Sequence, residues 1–542
     1  MTSNKAVRAA LLGALAVTGL AACGAGSDGV ASPGEGSFVP SPPPAAPPVS
    51  PPSVPPVSPP TGPAAACPTV AGNAQPFVNV GIVADLRNCQ LPSLITGAFN
   101  VPKTAGVIYS VSSVADVGQD RGGDANAPLG GTTSGILSID PGVVIFGSGG
   151  LDFIRVNRGS QIQASGTLAD PIVFTSRSDI ENAALADEAP GGQWGGLLIL
   201  GRAPINDGCP VGQSQQITAV GPPATTPIVC QTLAEATNAL YGGNSPTDNS
   251  GRLSYVIVKY PGFNVTPNKE LNGITLSGVG NGTQVENVQV HQSSDDGIEL
   301  FGGTVNIKNA VLTGSDDDSF DTDLGWRGAA QYLLIVQRTT GGDRGFEWSA
   351  HESTVPANLD GAGQQIYRSQ PRVSNATIVM RSNVGTPAIL ENLGTQGFIY
   401  NSVFTRQANT GQCLDIDNTY TLAVGGQTFQ SVFFSCGATA FTNDADVDGA
   451  ATAAEFNKAG NGVNNTAVGV STLTARTGAS TSFVNGVNEN AVAVQTPANS
   501  GAANGVVSSF LTTPGKIGAV FPGNDTWYQG WTCSPMIGEE SC

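Results

Sequence analysis

The amino-acid sequence predicts an all-β chain. It should fold as a right-handed parallel β-helix, a solenoid with coils of about 22–26 residues and capping segments at both ends. Short runs rich in Val, Ile and Leu, such as GLLILG, LSYVIVKY, GITLSG and QVENVQVHQ, end in or near Gly, Asn or Asp, which is the punctuation of strands. These runs recur. Asn272-Gly273-Ile274-Thr275-Leu276 is followed after 24 residues by Asp296-Gly297-Ile298-Glu299-Leu300, after 22 more by Asp318-Ser319-Phe320-Asp321-Thr322, and after 26 more by Arg344-Gly345-Phe346-Glu347-Trp348. Ile389-Leu390-Glu391 and, 24 residues on, Cys413-Leu414-Asp415 continue the series. Between them lie second runs with an Asn at the same place: Asn287, Asn309, Asn375 and Asn401. Leucine-rich repeats share the period but not this leucine spacing, and propeller blades need longer repeats.

Taken in chain order, residues 1–22 have the plan of an export signal. Lys5 and Arg8 precede an apolar run, Ala9 to Leu20, that is too short to span a bilayer. The run ends in Leu20-Ala21-Ala22-Cys23, which resembles a bacterial lipobox. The resemblance implies cleavage before Cys23, lipid on its sulfur, membrane attachment and, with Gly24 next, the outer membrane or cell surface. Residues 23–66 form a stalk: Ser32 to Pro63 carries 14 of the 37 Pro, and such a segment is an extended spacer. Residues 67–134 are expected to cap the N-terminal end, 135–440 to form the β-helix, and 441–542 to cap the C-terminal end. There are nine Cys. Setting Cys23 aside leaves eight, whose local arrangement suggests Cys67/Cys89, Cys209/Cys230, Cys413/Cys436 and Cys533/Cys542, although spacing alone fixes no connectivity. Disulfides fit an oxidising extracytoplasmic location.

The stretches GGQWGGLLILGRAPIN, YGGNSPTDNSGRLSYVIVKYPGF, DDGIELFGG and DDDSFDTDLGW, within about Gly135 to Phe434 and again near GNDTWYQGW, resemble a family of secreted and surface lipoproteins of Gram-negative bacteria with parallel β-helix folds. The family has no established activity, so the resemblance implies fold and location rather than a reaction.

A net charge of −18 argues against nucleic acid or an anionic membrane surface as partner, because phosphate binding needs clustered Lys and Arg. The acids are unevenly spread. Asp295 to Trp326 holds seven Asp and one Glu in a chain that is only 12% charged. Side chains alternate along a strand. If Ile274, Ile298, Phe320, Phe346, Leu390 and Leu414 face inward, then Glu299, Asp321, Glu347, Glu391 and Asp415 form an outward ladder. Like charges at ~5 Å and an effective dielectric of ~20 cost ~3 kcal/mol before screening. Solvent, protonation, bases such as Arg327 and Arg344, or a bound cation must offset this. A second set, Asp295, Asp296, Asp316, Asp317, Asp318 and Asp343, falls at turns, where acids cap backbone amides or ligate Ca²⁺. The Asn column should be a buried amide ladder.

Asp444, Asp446, Asp448, Gly449 and Glu455 fit the spacing of an EF-hand calcium loop, although a strand-like TAFTN stands where an entering helix belongs. With His291 and His351 as the only histidines, a His-based zinc site is not expected. The Gly-His-Gly and Arg-Ile-Lys motifs of polygalacturonase-like enzymes do not occur, whereas Asp317, Asp318 and Asp343-Arg344 could supply the parts of a calcium-assisted lyase. Trp326, Trp348, Tyr332 and Phe301 lie near the acidic face. Trp348 shares the side of Phe346 and is expected to point inward; the sequence does not decide Trp326. The expected function is therefore a non-enzymatic surface lipoprotein whose β-helix binds a glycan, another surface protein or a nutrient-uptake receptor, with calcium stabilising the acidic turns. A calcium-assisted polysaccharide lyase or glycoside hydrolase is the alternative.

Overall fold

The structure is a computed structural model. It describes residues 62–182, 189–210, 228–266, 269–351, 368–382, 385–407, 411–423, 426–437, 439–458, 466–474, 483–498 and 510–540. The expected export signal, Cys23, most of the expected stalk and Cys542 lie outside the described residues.

The chain winds as a parallel β-helix. A ten-stranded short sheet stacks the strands from Leu94–Ile95 to Leu414–Ile416, and every pair along it is parallel. Ile274 pairs with Ile298, Ile298 with Phe320, and Phe320 with Phe346, as the repeat predicts. The long strands, among them Gly251–Lys259, Gln284–His291, Asn306–Thr313, Ala329–Val336, Arg372–Met380 and Phe398–Arg406, form the second sheet, again in parallel.

Each long strand bends once. The bend residue is in the left-handed region at Tyr255, Asn287, Asn309, Tyr332, Asn375, Asn401 and Ser431, with φ between 48° and 64°. The bend separates two flat halves. The first half of Gly251–Lys259 continues the strand Gln161–Ser165, and the second half continues Ile172–Ser176. With the short sheet this gives three faces around one core. Asn suits the corner because its short polar side chain tolerates left-handed backbone.

The expected amide ladder exists only in part. Asn309 donates to Asn287 Oδ1 at 3.0 Å, but both are half-buried and Tyr332 interrupts the column. Asn375 and Asn401 are fully buried and bond instead to the C-terminal segment, at Gly518 O and Gln495 O.

The ends of the solenoid differ from expectation. Parallel pairing already starts with Leu86–Gln90 on Val107–Val111, so much of residues 67–134 is solenoid; the antiparallel hairpin partner Val78–Val83 is what covers the sheet edge. At the other end, the helix Gly449–Phe456 places Phe456 flat on Phe434 at 4.3 Å. Described parts of the later C-terminal region lie along the side. Phe483, Tyr528, Trp531 and Ile537 pack on an outer apolar stripe of Val311, Leu334, Val336 and Val379. Cys67–Cys89, Cys209–Cys230 and Cys413–Cys436 are joined, with separations of 22, 21 and 23 residues, about one coil each. Cys533 is also disulfide-bonded.

One phase of the repeat is corrected. Phe346 pairs with Ile389 rather than Leu390, and Ile389 with Leu414, a spacing of 25 rather than 24 residues. Ala388 takes the place that Gly345 holds one coil earlier: its carbonyl accepts from both Gly345 N and Phe346 N. Leu390 therefore sits in the outward column and Glu391 points into the core beneath Trp348. Ile389 and Leu390 are both apolar, so alternation satisfied either phase.

Candidate functional site

The outward column of the short sheet reads Asp116, Arg155, Leu198, Thr275, Glu299, Asp321, Glu347, Leu390, Asp415 in register. Its first two members neutralise each other: Arg155 grips Asp116 through Nε and Nη2 at 2.6 and 3.0 Å. The ladder proper is thus Glu299, Asp321 and Glu347, with Asp415 beyond the Leu390 break.

The turn acids are tied to neighbouring coils. Asn272 Oδ1 accepts from Asp296 N, Asp296 Oδ1 from Asp318 N, and Asp318 Oδ1 from Arg344 N, at 3.3, 2.9 and 2.6 Å. Each side chain thus caps the next turn, as acids at turns do. This use consumes one lone pair of each carboxylate and leaves the rest facing the cleft.

Ladder and turn acids converge. Carboxylate oxygens come within 4.8 Å of one another in three groups: Asp295–Asp296–Asp317, Asp296–Glu299–Asp321 and Asp317–Asp318–Asp343. Asp296, Glu299 and Asp318 are buried; Asp317 is exposed. They line a cleft of about 630 Å³, walled on one side by the hairpins Thr232–Leu233/Leu240–Tyr241 and Asn264–Thr266/Lys269–Glu270, which contribute Glu235 and Glu270. Nothing in the repeat pattern marks Glu235, because it lies on an insertion outside the coil.

Crowding makes these acids hard to ionise. Burial, then the charge of Asp317, pushes Asp295 to about 8. Burial, then Asp343, pushes Asp317 to about 6. Burial comes first for the others too, reinforced by Asp295 at Asp296, by Asp321 at Glu299, and by Glu347 at Asp318 and Asp321, and all four are held well above the carboxylate range. One base answers them. Arg344 Nη1 lies 2.5 Å from Asp343 and from Glu347 and 3.8 Å from Asp318. Burial alone would lower its pKa, but Glu347, Asp318 and Asp343 outweigh it and raise it. Arg327 does not reach the ladder: it is buried and donates to Arg368 O.

The EF-like set is not brought together. Asp448 is the N-cap of the helix Gly449–Phe456, accepting from Ala451 N at 2.8 Å, and that helix begins where the loop's turn should be. Glu455 accepts from Gln427 N at 2.6 Å and from Lys458. Asp444 interacts with Asp415, whose pKa burial and then Asp444 push to about 7. Among the described residues, none of the three converging groups includes Asp444, Asp446, Asp448 or Glu455, and none includes His or Cys.

The aromatics are structural. Trp348 stacks on Phe346 at 4.8 Å in the core, as expected. Trp326 is also fully buried, edge-on to Phe320, its indole donating to Val305 O at 3.2 Å.

An all-oxygen donor set of this kind suits a hard divalent cation with loose geometry, Ca²⁺ before Zn²⁺. Comparison with curated proteins and with solved structures found no match. Residues 126–532 match the family described as pectate-lyase-like beta helix domain. With the match covering most of the chain and the stacked parallel sheets in agreement, the chain belongs to the pectate-lyase-like β-helix domain family.

Proposed function

We propose that the chain is an exported, lipid-anchored surface protein whose acidic cleft binds calcium and presents it, with the adjoining face of the β-helix, to a ligand such as a glycan or a surface receptor. One observation carries the cation reading: eight carboxylates of the cleft and its rim (Asp295, Asp296, Glu299, Asp317, Asp318, Asp321, Asp343 and Glu347) crowd together, and among the described residues Arg344 is the base that pairs with them, at Asp318, Asp343 and Glu347. Asp295, Asp296 and Asp317, or Asp296, Glu299 and Asp321, would supply the ligands; calcium would replace the protons that otherwise hold these groups together. Calorimetric titration with CaCl₂ and thermal melts with and without EDTA test this. Heat on titration and a midpoint lowered by chelator are expected; no heat and an unchanged melt would remove the proposal.

Family membership raises the second reading, a calcium-assisted lyase. Such chemistry needs a base that can be neutral at the moment of proton abstraction. Arg344, the cation in the cleft, is locked into its charged form by three carboxylates, which favours binding over elimination. Incubation with acidic glycans should therefore yield no unsaturated product; an activity lost in Arg344→Ala or Asp317→Ala would reverse the preference.

The lipid anchor rests on Leu20-Ala21-Ala22-Cys23 after a short apolar run, and on the Pro-rich spacer that follows. Cys23→Ser should release the protein from the membrane fraction; continued retention would count against the anchor.

A further inference from the structure

The outer face of the short sheet changes character along the solenoid. At the strand Gly196–Leu200 its outward residues are Leu198 and Leu200, and the hairpins cover them: both pack in one cluster with Ala234, Tyr241, Leu271 and Phe301. From Glu299 to Glu347 the column is acidic. A second cleft, of about 680 Å³, lies where the covered apolar part meets the acidic part. Leu233, Val265 and Phe301 form its apolar side, and Glu235, Glu299 and Asp323 its acidic side. Leu233, in a short hairpin strand, is 55% exposed. The chain places one ammonium of its own at this rim: Lys269 Nζ, on a side chain 61% exposed, faces Glu235 at 3.8 Å.

Each simple ligand class meets an obstacle here. An anion faces three acids. A hydrated metal ion gains nothing from the apolar side. A wholly apolar molecule would strip water from Glu235 without replacing it. A positive head on an aliphatic stem satisfies both sides, as the stems of Lys and Arg do when they lie on apolar surface with the head in a polar environment. We infer that this cleft binds a primary alkylammonium group, of the kind carried by a lysine side chain of a partner or by a free diamine. The site shares Glu235 and Glu299 with the calcium cleft but does not depend on the calcium reading.

Calorimetry on the full chain, in calcium and in EDTA, tests this with n-pentylamine, ammonium and pentanoate. Pentylamine should bind at least ten-fold more tightly than either of the others. Shortening the amine should weaken binding by about two-fold per methylene, less than the roughly four-fold of complete burial, because the cleft is open. The double variant Leu233→Ser/Val265→Ser, at surface positions, should weaken pentylamine about five-fold or more. Lys269→Gln should strengthen it by removing a competing ammonium from the rim. Asp317→Asn, which lines the calcium cleft and not this one, should leave pentylamine unchanged whatever it does to the calcium response. Pentylamine binding no tighter than ammonium, or indifferent to Leu233→Ser/Val265→Ser, would overturn the inference even if calcium binds. An N-acetyl-lysine amide binding as tightly as 1,5-diaminopentane assigns the site to a presented side chain. A diamine at least ten-fold tighter assigns it to a free polyamine.

Discussion

Glu391→Gln is expected to stabilise the protein at neutral and alkaline pH. Glu391 is fully buried, and neither carboxylate oxygen has a hydrogen-bond partner. Its carboxylate and the ring of Trp348 fill the space that a Cβ on Gly397 would need. Burial, and secondarily the charge of Glu455, holds its pKa well above the ordinary 4.5. The folded chain therefore keeps the proton while the unfolded chain gives it up. Below the unfolded value both states are protonated and the group contributes no pH-dependent cost. As pH rises from there towards the folded value, stability falls by 1.36 kcal/mol per unit. The loss accumulates until pH passes the folded value. Glutamine keeps the shape and removes the titration. The melting entropy of about 2.1 cal/mol/K per residue amounts to roughly 1 kcal/mol/K over the folded region, so the midpoint should rise by about 1 °C for each kcal/mol recovered. The assay is a thermal melt of both proteins at a series of pH values from about 4 to 8. The cleft acids act equally in both proteins, so the difference isolates Glu391. The gap should vanish near pH 4 and widen upward. A gap that stays flat and within about 0.5 kcal/mol, as for a solvated surface acid, would refute the inward placement and the register behind it.

Calcium affinity should rise between about pH 5 and pH 8, because Asp295 and Asp317, raised to about 8 and about 6, must lose protons to become ligands; titration calorimetry at both ends of the range checks the sign. Asp448→Ala should cost about 1 kcal/mol through the lost helix cap and leave the calcium heat unchanged; a vanished heat would reinstate an EF-type site. Asn309→Ala should cost about 1–2 kcal/mol, since φ is 58° there and the bond to Asn287 is lost, while Asn309→Gly should cost less. Urea denaturation of the two variants decides whether the corner is the left-handed bend described.

Much of the site was legible because the fold repeats. Glu299, Asp321 and Glu347 follow Ile298, Phe320 and Phe346 by one residue, and alternation alone sends them outward. Asp296 and Asp318 recur at the same turn and cap the next coil's amide as turn acids do. Periodicity failed where it was degenerate or interrupted. Ile389-Leu390-Glu391 offers two apolar residues in a row, and only cross-strand pairing to Phe346-Glu347-Trp348 selects the phase. The EF-like spacing was met without its geometry, because Asp448 starts a helix at Gly449. Glu235 and Glu270 come from insertions that no repeat predicts, yet they wall the cleft.

The sequence by itself determined the solenoid, its coil length, its inward column and the concentration of acids on successive coils, because each of these is a local pattern read every 22–26 residues. Tertiary structure decided what that pattern becomes. It chose which acids are open and which are buried, closed one side of the face with hairpins, and laid the C-terminal segment along the flank instead of across the end. Those outcomes depend on contacts between residues far apart in the chain, and on which apolar surface found a partner to cover it.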